Sequence, residues 1–365
     1  DNGRLYQKYL GKKLNHDSDI QYLPQGTEAY LTHGMEDYFE PAIHIRHNDN
    51  NSSLLLKYVD HSSNAIGNGV NETVITLKDD KYPVTVKLHY VAYGKENIIR
   101  AFSEISHEEK KPVILCKYAS SMLHLNSSKY FLTEFSGDWA HEANVTEREL
   151  AFGKKVIDTK LGARANMFVS PFFQLALDNP SQENAGEVLV GTIGWTGNFR
   201  FTFEVDNKNE LRIISGINTY DSEYSLPAKE VFRTPDFYFT YSTQGKGEAS
   251  RNFHDWARNH QVKNGNDTRM TLLNNWESTY FDFDENKLIG LMDEATKLGV
   301  DMFLLDDGWF ANKYPRSSDH QGLGDWEETA DKLPNGVGRL VEEAQKKGIK
   351  FGIWIEPEMV NPKSE

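Results

Sequence analysis

Asp306 and Asp307 stand side by side where the apolar run Met302-Phe303-Leu304-Leu305 ends, and Gly308, Trp309 and Phe310 follow at once. A second apolar run, from Ile349 to Ile355, closes on Trp354, Glu356, Pro357 and Glu358. A third, from Thr271 to Trp276, ends in Asn274, Asn275, Trp276 and Glu277. Ionised carboxylates only accept hydrogen bonds and are seldom buried without a partner, so a pair of them at a strand end points to a donor-rich ligand or to a structural role. Side chains alternate across a strand, which would make Asp306 and Asp307 one inward ligand and one structural acid. Alternatively, the chain turns over at the strand end and both carboxylates face the ligand. Trp276 and Trp354 read either as packing or as a flat apolar wall with the indole N–H as a polar handle. Trp309, Asp325 and Trp326 belong to the same rim as supporting residues that fix a long loop. Glu356 and Glu358 share one face of an extended segment, too near each other to flank a reacting centre from two sides, and are read as structural.

These residues need elements that present them together. Residues 284–298 carry Leu288, Leu291, Met292, Ala295 and Leu298 at helical spacing, and Gly299 suits the left-handed residue that ends a helix. A second helix is predicted to start near Asn335, a good cap, to bury Val337, Leu340, Val341 and Ala344, and to stop at Gly348. Strand, helix and strand recur within roughly 30 residues the first time, the length of a right-handed crossover unit. The second connection is longer because residues 308–334 intervene; loops beyond about 15 residues in a compact domain are usually functional. Parallel strands that each end in polar and aromatic residues imply one functional rim at their C-terminal ends, the arrangement of barrels built from alternating strands and helices.

The earlier part of the chain reads differently. Val84, Val86, Leu88 and Tyr90 alternate with polar partners, as do Phe199, Phe201, Phe203 and Val205, the latter after a Gly197-Asn198 turn. Such strands at short spacing predict an antiparallel sandwich whose aromatics are mostly core. The expected architecture is therefore multidomain, β followed by α/β. An N-terminal antiparallel β-sandwich spans 1–245, a helical linker with Phe253, Trp256 and Ala257 on one face spans 246–270, and the first three strand–helix units of a (β/α)8 TIM barrel span 271–365. The formal net charge of -14 and pI near 5.4 argue against nucleic acid and anionic membrane as partners. The single cysteine, Cys116, forbids an internal disulfide and fits a reducing, cytoplasmic location. No apolar run approaches the roughly 18 residues of a membrane helix. His44 and His47 lack a Cys/His cluster around them, so neither metal nor cofactor is expected.

Residues 299–309 resemble the signature of α-galactosidases, and Leu323-Gly324-Asp325-Trp326 and Phe351 to Val360 resemble family 36 of the glycoside hydrolases. Upstream, Gly34 to Tyr38 with Pro41-Ala42, Ser170 to Phe173, and Leu189 to Gly197 resemble that family's N-terminal β-sandwich, so the resemblance covers nearly the whole chain in order. It implies a retaining enzyme that hydrolyses terminal α-linked galactose from melibiose, raffinose or stachyose and that assembles as a homo-oligomer, often a tetramer. It implies further that Asp306 and Asp307 hold galactose, through acceptors suited to its axial 4-hydroxyl and its 6-hydroxyl, and that Trp276 and Trp354 line the galactose subsite. In related enzymes a loop of the sandwich reaches a neighbouring subunit's active site, which makes Asp37 a contributor; otherwise it is a turn residue. The family's nucleophile lies in a Lys-Trp-Asp-type segment that this sequence lacks, and only about 95 residues follow Met270 where a barrel takes about 250. The chain is thus expected to be a fragment cut at both ends, carrying recognition but neither catalytic aspartate. Alternatives are an α-N-acetylgalactosaminidase, a raffinose-type α-galactosyl transferase, or a non-enzymatic galactoside-binding module.

Overall fold

The computed structural model describes residues 3–35 and 38–365, so Asp37 lies outside the described residues. The chain divides into two compact units, Asp1–Gly265 and Asn266–Glu365.

Alternating apolar residues build the first unit. Val84, Val86 and Leu88 turn one way from the strand Val84–Tyr93 and are almost fully buried; Phe199, Phe201, Phe203 and Val205 do the same from Phe199–Val205. Among the described residues these strands belong to a ten-stranded and a six-stranded sheet, and every strand pairing in the two is antiparallel. The larger sheet runs from Asn144–Glu149 at one edge to Leu56–Gly67 at the other; the smaller is centred on Glu210–Ile217 and Val113–Asn126. Two apolar cores lie between the sheets. In one, Phe173 and Phe237 of the larger sheet meet Phe201 of the smaller at ring-centroid distances of 5.2 and 6.2 Å. The other joins Leu77, Val86 and Ile105 to Ile45, Leu115 and Met122. A helix, Gly245–Trp256, continues as a π-helical turn over Ala257–Gln261 and packs Ala249 and Phe253 against Ala176, Val188 and Val190.

The second unit carries the site. Three short strands, Leu272–Asn274, Met302–Leu305 and Lys350–Ile353, form a parallel sheet in that order, with Leu273, Phe303 and Phe351 in register. Two helices connect them, Glu285–Lys297 and Gly336–Lys346. Phe303 and Leu305 are fully buried in one cluster with Leu288, Met292, Leu340 and Ala344 of the helices. Met302 and Leu304 point to the opposite face and are half-buried, and Leu272 beside them is exposed. The first helix is capped as its sequence predicts: Asp284 accepts from the Lys287 N–H at 2.8 Å. The second is not. Asn335 makes no side-chain cap and instead donates its Nδ2 to Glu285 at 3.0 Å, while Glu328 accepts the Val337 N–H at 2.8 Å. The reason is local: Glu285, a buried carboxylate of the first helix, needs donors, and Asn335 supplies both its N–H and its amide.

Candidate functional site

The three parallel strands end side by side, so whatever follows each of them gathers along one rim. Leu304 is in register with Asn274 and Gly352, which puts Asp306, two residues on, on the same face as Asn274 and away from the helices. The Asn274 amide donates to Asp306 Oδ2, and its own carbonyl accepts the Trp276 N–H at 2.7 Å. The buried Asn275 completes the strand junction by accepting the Asp306 N–H at 2.8 Å. Asp306 Oδ1 in turn accepts the Asp307 N–H at 2.7 Å. Neutral donors thus fix the Asp306 carboxylate, which remains partly open to solvent.

Asp307 is held otherwise. The strand has ended at Leu305, and Asp307 is 6% exposed and gripped by Arg316 of the following loop, itself 4% exposed. The guanidinium donates from Nε at 2.9 and 3.1 Å and from Nη2 at 2.7 Å, a bidentate pair that fixes the carboxylate plane. Arg316 Nη1 donates to the Gln321 carbonyl at 3.0 Å, and the guanidinium carbon lies 5.7 Å from the centroid of the Phe281 ring. Lys332 closes the cluster, donating to the Gly308 carbonyl at 2.8 Å and lying 4.6 Å from the Phe283 ring centre. Burial lowers the Lys332 ammonium from its usual range, against the raising fields of Asp307 and Asp282. Gly308 has φ 96°, and a β-carbon there would stand 2.9 Å from Phe281 and 3.3 Å from Lys332 Nζ, so only glycine lets the chain turn here.

The tryptophans divide by exposure. Trp276 is half-buried, its ring edge-on to Phe281 at 5.0 Å and to Tyr280 at 5.2 Å. Trp354 is half-buried too, anchored by its N–H on the Leu305 carbonyl at 2.8 Å and packed near Phe310 and Trp326, each 6.4 Å away between centroids. Trp309 is buried and donates its indole N–H to the Trp354 carbonyl at 3.0 Å, so it braces the third strand end from beneath. Trp326 packs on Phe310 at 4.5 Å within the long loop. Asp325 accepts the Ser364 hydroxyl at 2.6 Å and the Glu365 N–H at 2.9 Å; these donors hold its carboxyl below the usual range. Glu356 is half-buried and Glu358 exposed.

Asp306, Trp276 and Trp354 therefore come together at one rim, Asp307 adjoins Asp306 there with its carboxylate held by Arg316, and Trp309 and Trp326 support it. Sequence reasoning assigns nothing to Asn274, Arg316, Lys332 or Phe281. Asn274 is signalled by its place at a strand end; Arg316 and Phe281 carry no periodic signal. His44 stacks on His33 at 3.9 Å, and His47 pairs with Glu109 at 2.7 Å. In the first unit a cavity of about 510 Å³ is lined by Arg4, Tyr6, Phe39, Asp206 and Arg212 among others, and within its wall Arg4 pairs with Glu28 and Arg212 with Asp206.

With this geometry in place, similarity to known proteins becomes informative. The sequence family described as the glycosyl hydrolase family 36 N-terminal domain matches residues 3–227, and the Melibiase family matches 231–365. The chain is 29% identical over 401 residues to alpha-galactosidase Mel36A of Lactobacillus acidophilus, covering 100% of this chain and 54% of that protein. It is 33% identical over 317 residues to alpha-galactosidase AgaA of Geobacillus stearothermophilus, covering 86% of this chain and 42% of that protein. Among solved structures, a doubly substituted form of AgaA in complex with raffinose superposes with a TM-score of 0.91 at 28% identity, over 100% of this chain and 55% of that one. The chain spans about half the length of the curated relatives it matches.

Proposed function

Because this chain belongs to family 36 of the glycosyl hydrolases, we propose that it forms the galactose-recognising part of an α-galactosidase acting on raffinose-type sugars. The observation that carries this reading is the constellation Asn274, Asp306, Trp276 and Trp354 at the ends of three adjacent parallel strands. A half-exposed carboxylate, oriented by an amide and flanked by two half-exposed indoles, suits a ligand with hydroxyls on its edge and an apolar face. The axial 4-hydroxyl and the 6-hydroxyl of galactose supply two donors on one side of the ring, and Asp306 and Asp307 supply the acceptors. The complex of AgaA with raffinose, a relative's structure, supports this choice of sugar.

The same reading makes the parallel strands and their helices part of a (β/α)8 barrel, with the rim at its C-terminal face. The sandwich then spans 1–245, followed by a helical linker and the barrel from 271. The whole protein would be a cytoplasmic homo-oligomer. Neither Asp306 nor Asp307 is proposed as nucleophile or acid/base. Asp307 is committed to Arg316, and a retaining mechanism places two carboxyl groups about 5–5.5 Å apart on opposite sides of the reacting carbon, which adjacent residues of one strand cannot do. The proposed reaction is attack by an aspartate on the anomeric carbon with protonation of the leaving group, followed by hydrolysis of the galactosyl–enzyme bond.

The test is to assay the whole gene product on aryl α-galactoside, aryl α-glucoside and aryl α-N-acetylgalactosaminide. Turnover confined to the galactoside supports the reading. Galactoside binding without turnover would assign a binding module instead, and preference for the N-acetylated sugar would move the protein to the neighbouring specificity.

A further inference from the structure

Asp307 and Asp306 are neighbours with the same side chain, yet the fold treats them unequally. Asp306 is oriented by neutral donors at a half-open position, whereas Asp307 is nearly buried with three hydrogen bonds from one guanidinium. That guanidinium has further neighbours. Its Nη1 is taken by the Gln321 carbonyl, its Nη2 lies 3.8 Å from Asp319 Oδ1, and its carbon lies 5.7 Å from the Phe281 ring centre. Arg316 belongs to the long 308–334 loop, so this pair ties the loop directly to the carboxylate at the strand end. A bidentate pair fixes rotation about the carboxylate as a single hydrogen bond cannot; here Oδ2 takes two of the three bonds, and Oδ1 keeps one acceptor site in a set direction.

We infer that Arg316 is a positioning residue for sugar recognition: it sets the plane of the Asp307 carboxylate so that a remaining lone pair meets one galactose hydroxyl. The inference rests on the proposed galactoside reading. It assigns to Arg316 a share of the discrimination among sugars without any contact to the sugar. Arg316→Lys keeps the positive charge but gives up the fork, so the carboxylate retains a cationic neighbour and becomes free to rotate.

The experiment uses the whole gene product as wild type, Arg316→Lys and Arg316→Ala, with aryl α-galactoside and its 4-deoxy and 6-deoxy analogues as substrates. If Arg316 acts through Asp307, Arg316→Lys loses about tenfold to a hundredfold in kcat/KM on the parent galactoside, the weight of a misaligned charged hydrogen bond. On one of the two deoxy analogues, the one lacking the hydroxyl that Asp307 meets, wild type and variant should converge. Methylguanidinium added to Arg316→Ala should restore turnover of the parent sugar and not of that analogue. An equal loss on all three substrates would make Arg316 a packing residue and overturn the inference. So would failure of both variants to fold, which would assign the arginine to stability alone. A wild type that neither binds nor cleaves α-galactosides would instead sink the functional reading beneath it, so the two failures are told apart.

Discussion

At the residue scale, the two aspartates should fail in different ways when replaced. Asp306→Ala removes a partly exposed carboxylate whose partners, the Asn274 amide and the Asp307 N–H, are neutral, so no buried charge is stranded. It should leave thermal stability nearly unchanged while weakening transition-state binding of an aryl α-galactoside by several kcal/mol, since hydrogen bonds to charged groups are worth about 1.5–3 each. Asp307→Ala strands the Arg316 guanidinium, only 4% exposed, and breaking a buried pair from one side costs about 3–5 kcal/mol. Activity and stability should fall together there. Steady-state kinetics beside denaturant unfolding separates the cases; an Asp306→Ala protein as unstable as Asp307→Ala would remove the distinction. Trp354 offers a second check. Its backbone carries the bonds to Leu305 and Trp309, and its ring, packed near Phe310 and Trp326, is only half-buried, so phenylalanine should keep part of the platform that alanine loses. Equal kcat/KM in Trp354→Ala and wild type would reduce it to packing. Which aspartate stays open is not legible in the sequence. A period of two says only that neighbours face opposite ways, and the partner that decides the matter, Arg316, lies nine residues on in a loop with no periodic signal.

At the scale of elements, spacing alone comes close for the second unit. Apolar residues at helical intervals place both helices, and the short Leu- and Phe-rich runs mark three strands whose parallel pairing follows from the helices between them. Two of the strands are shorter than their apolar runs suggest: the run from Thr271 to Trp276 yields a strand of three residues, because Asn275 turns inward to bond Asp306 and a helical turn begins at Trp276. Capping of the second helix also departs from expectation, since a good N-cap residue is a propensity and a buried carboxylate nearby overrides it. Glu285 accepts the Asn335 N–H at 3.2 Å and its amide at 3.0 Å, tying the start of one helix to the start of the next. Glu285→Ala should therefore cost about 1–3 kcal/mol by leaving those donors unpaired. Glu285→Gln, which keeps one acceptor, should cost less. Equal unfolding midpoints for all three proteins would show that water satisfies Asn335 without help.

For the molecule as a whole, the two units should respond to different stresses. In the first, burial alone would raise the Glu40 carboxyl, but the ammonium groups of Lys117 and Lys154 outweigh it and bring the group from 4.5 down to about 2. A depressed carboxylate contributes stability that is present above its unfolded value and lost as pH falls through the folded one. Wild type should thus be more stable than Glu40→Gln at neutral pH, with the gap closing between about pH 4.5 and 2; a gap that stays constant would show that the ion cluster is not responsible. The second unit depends on cover more than on charge. Its strands are three and four residues long, and the face bearing Leu272, Met302 and Leu304 is partly open, whereas a closed barrel buries strands on both faces. The 365-residue polypeptide prepared by itself should accordingly show fast hydrogen exchange and early proteolysis within 266–365, while 3–265, with its two large cores, stays protected. It should also show no turnover of an aryl α-galactoside, because the proposed rim recognises galactose without a nucleophile and two-step hydrolysis needs one. The whole gene product, assayed in parallel, should turn the substrate over. Robust turnover by the 365-residue polypeptide after removal of host enzyme would place the nucleophile within these residues, and the roles assigned to Asp306, Asp307 and their partners would have to be redrawn around it.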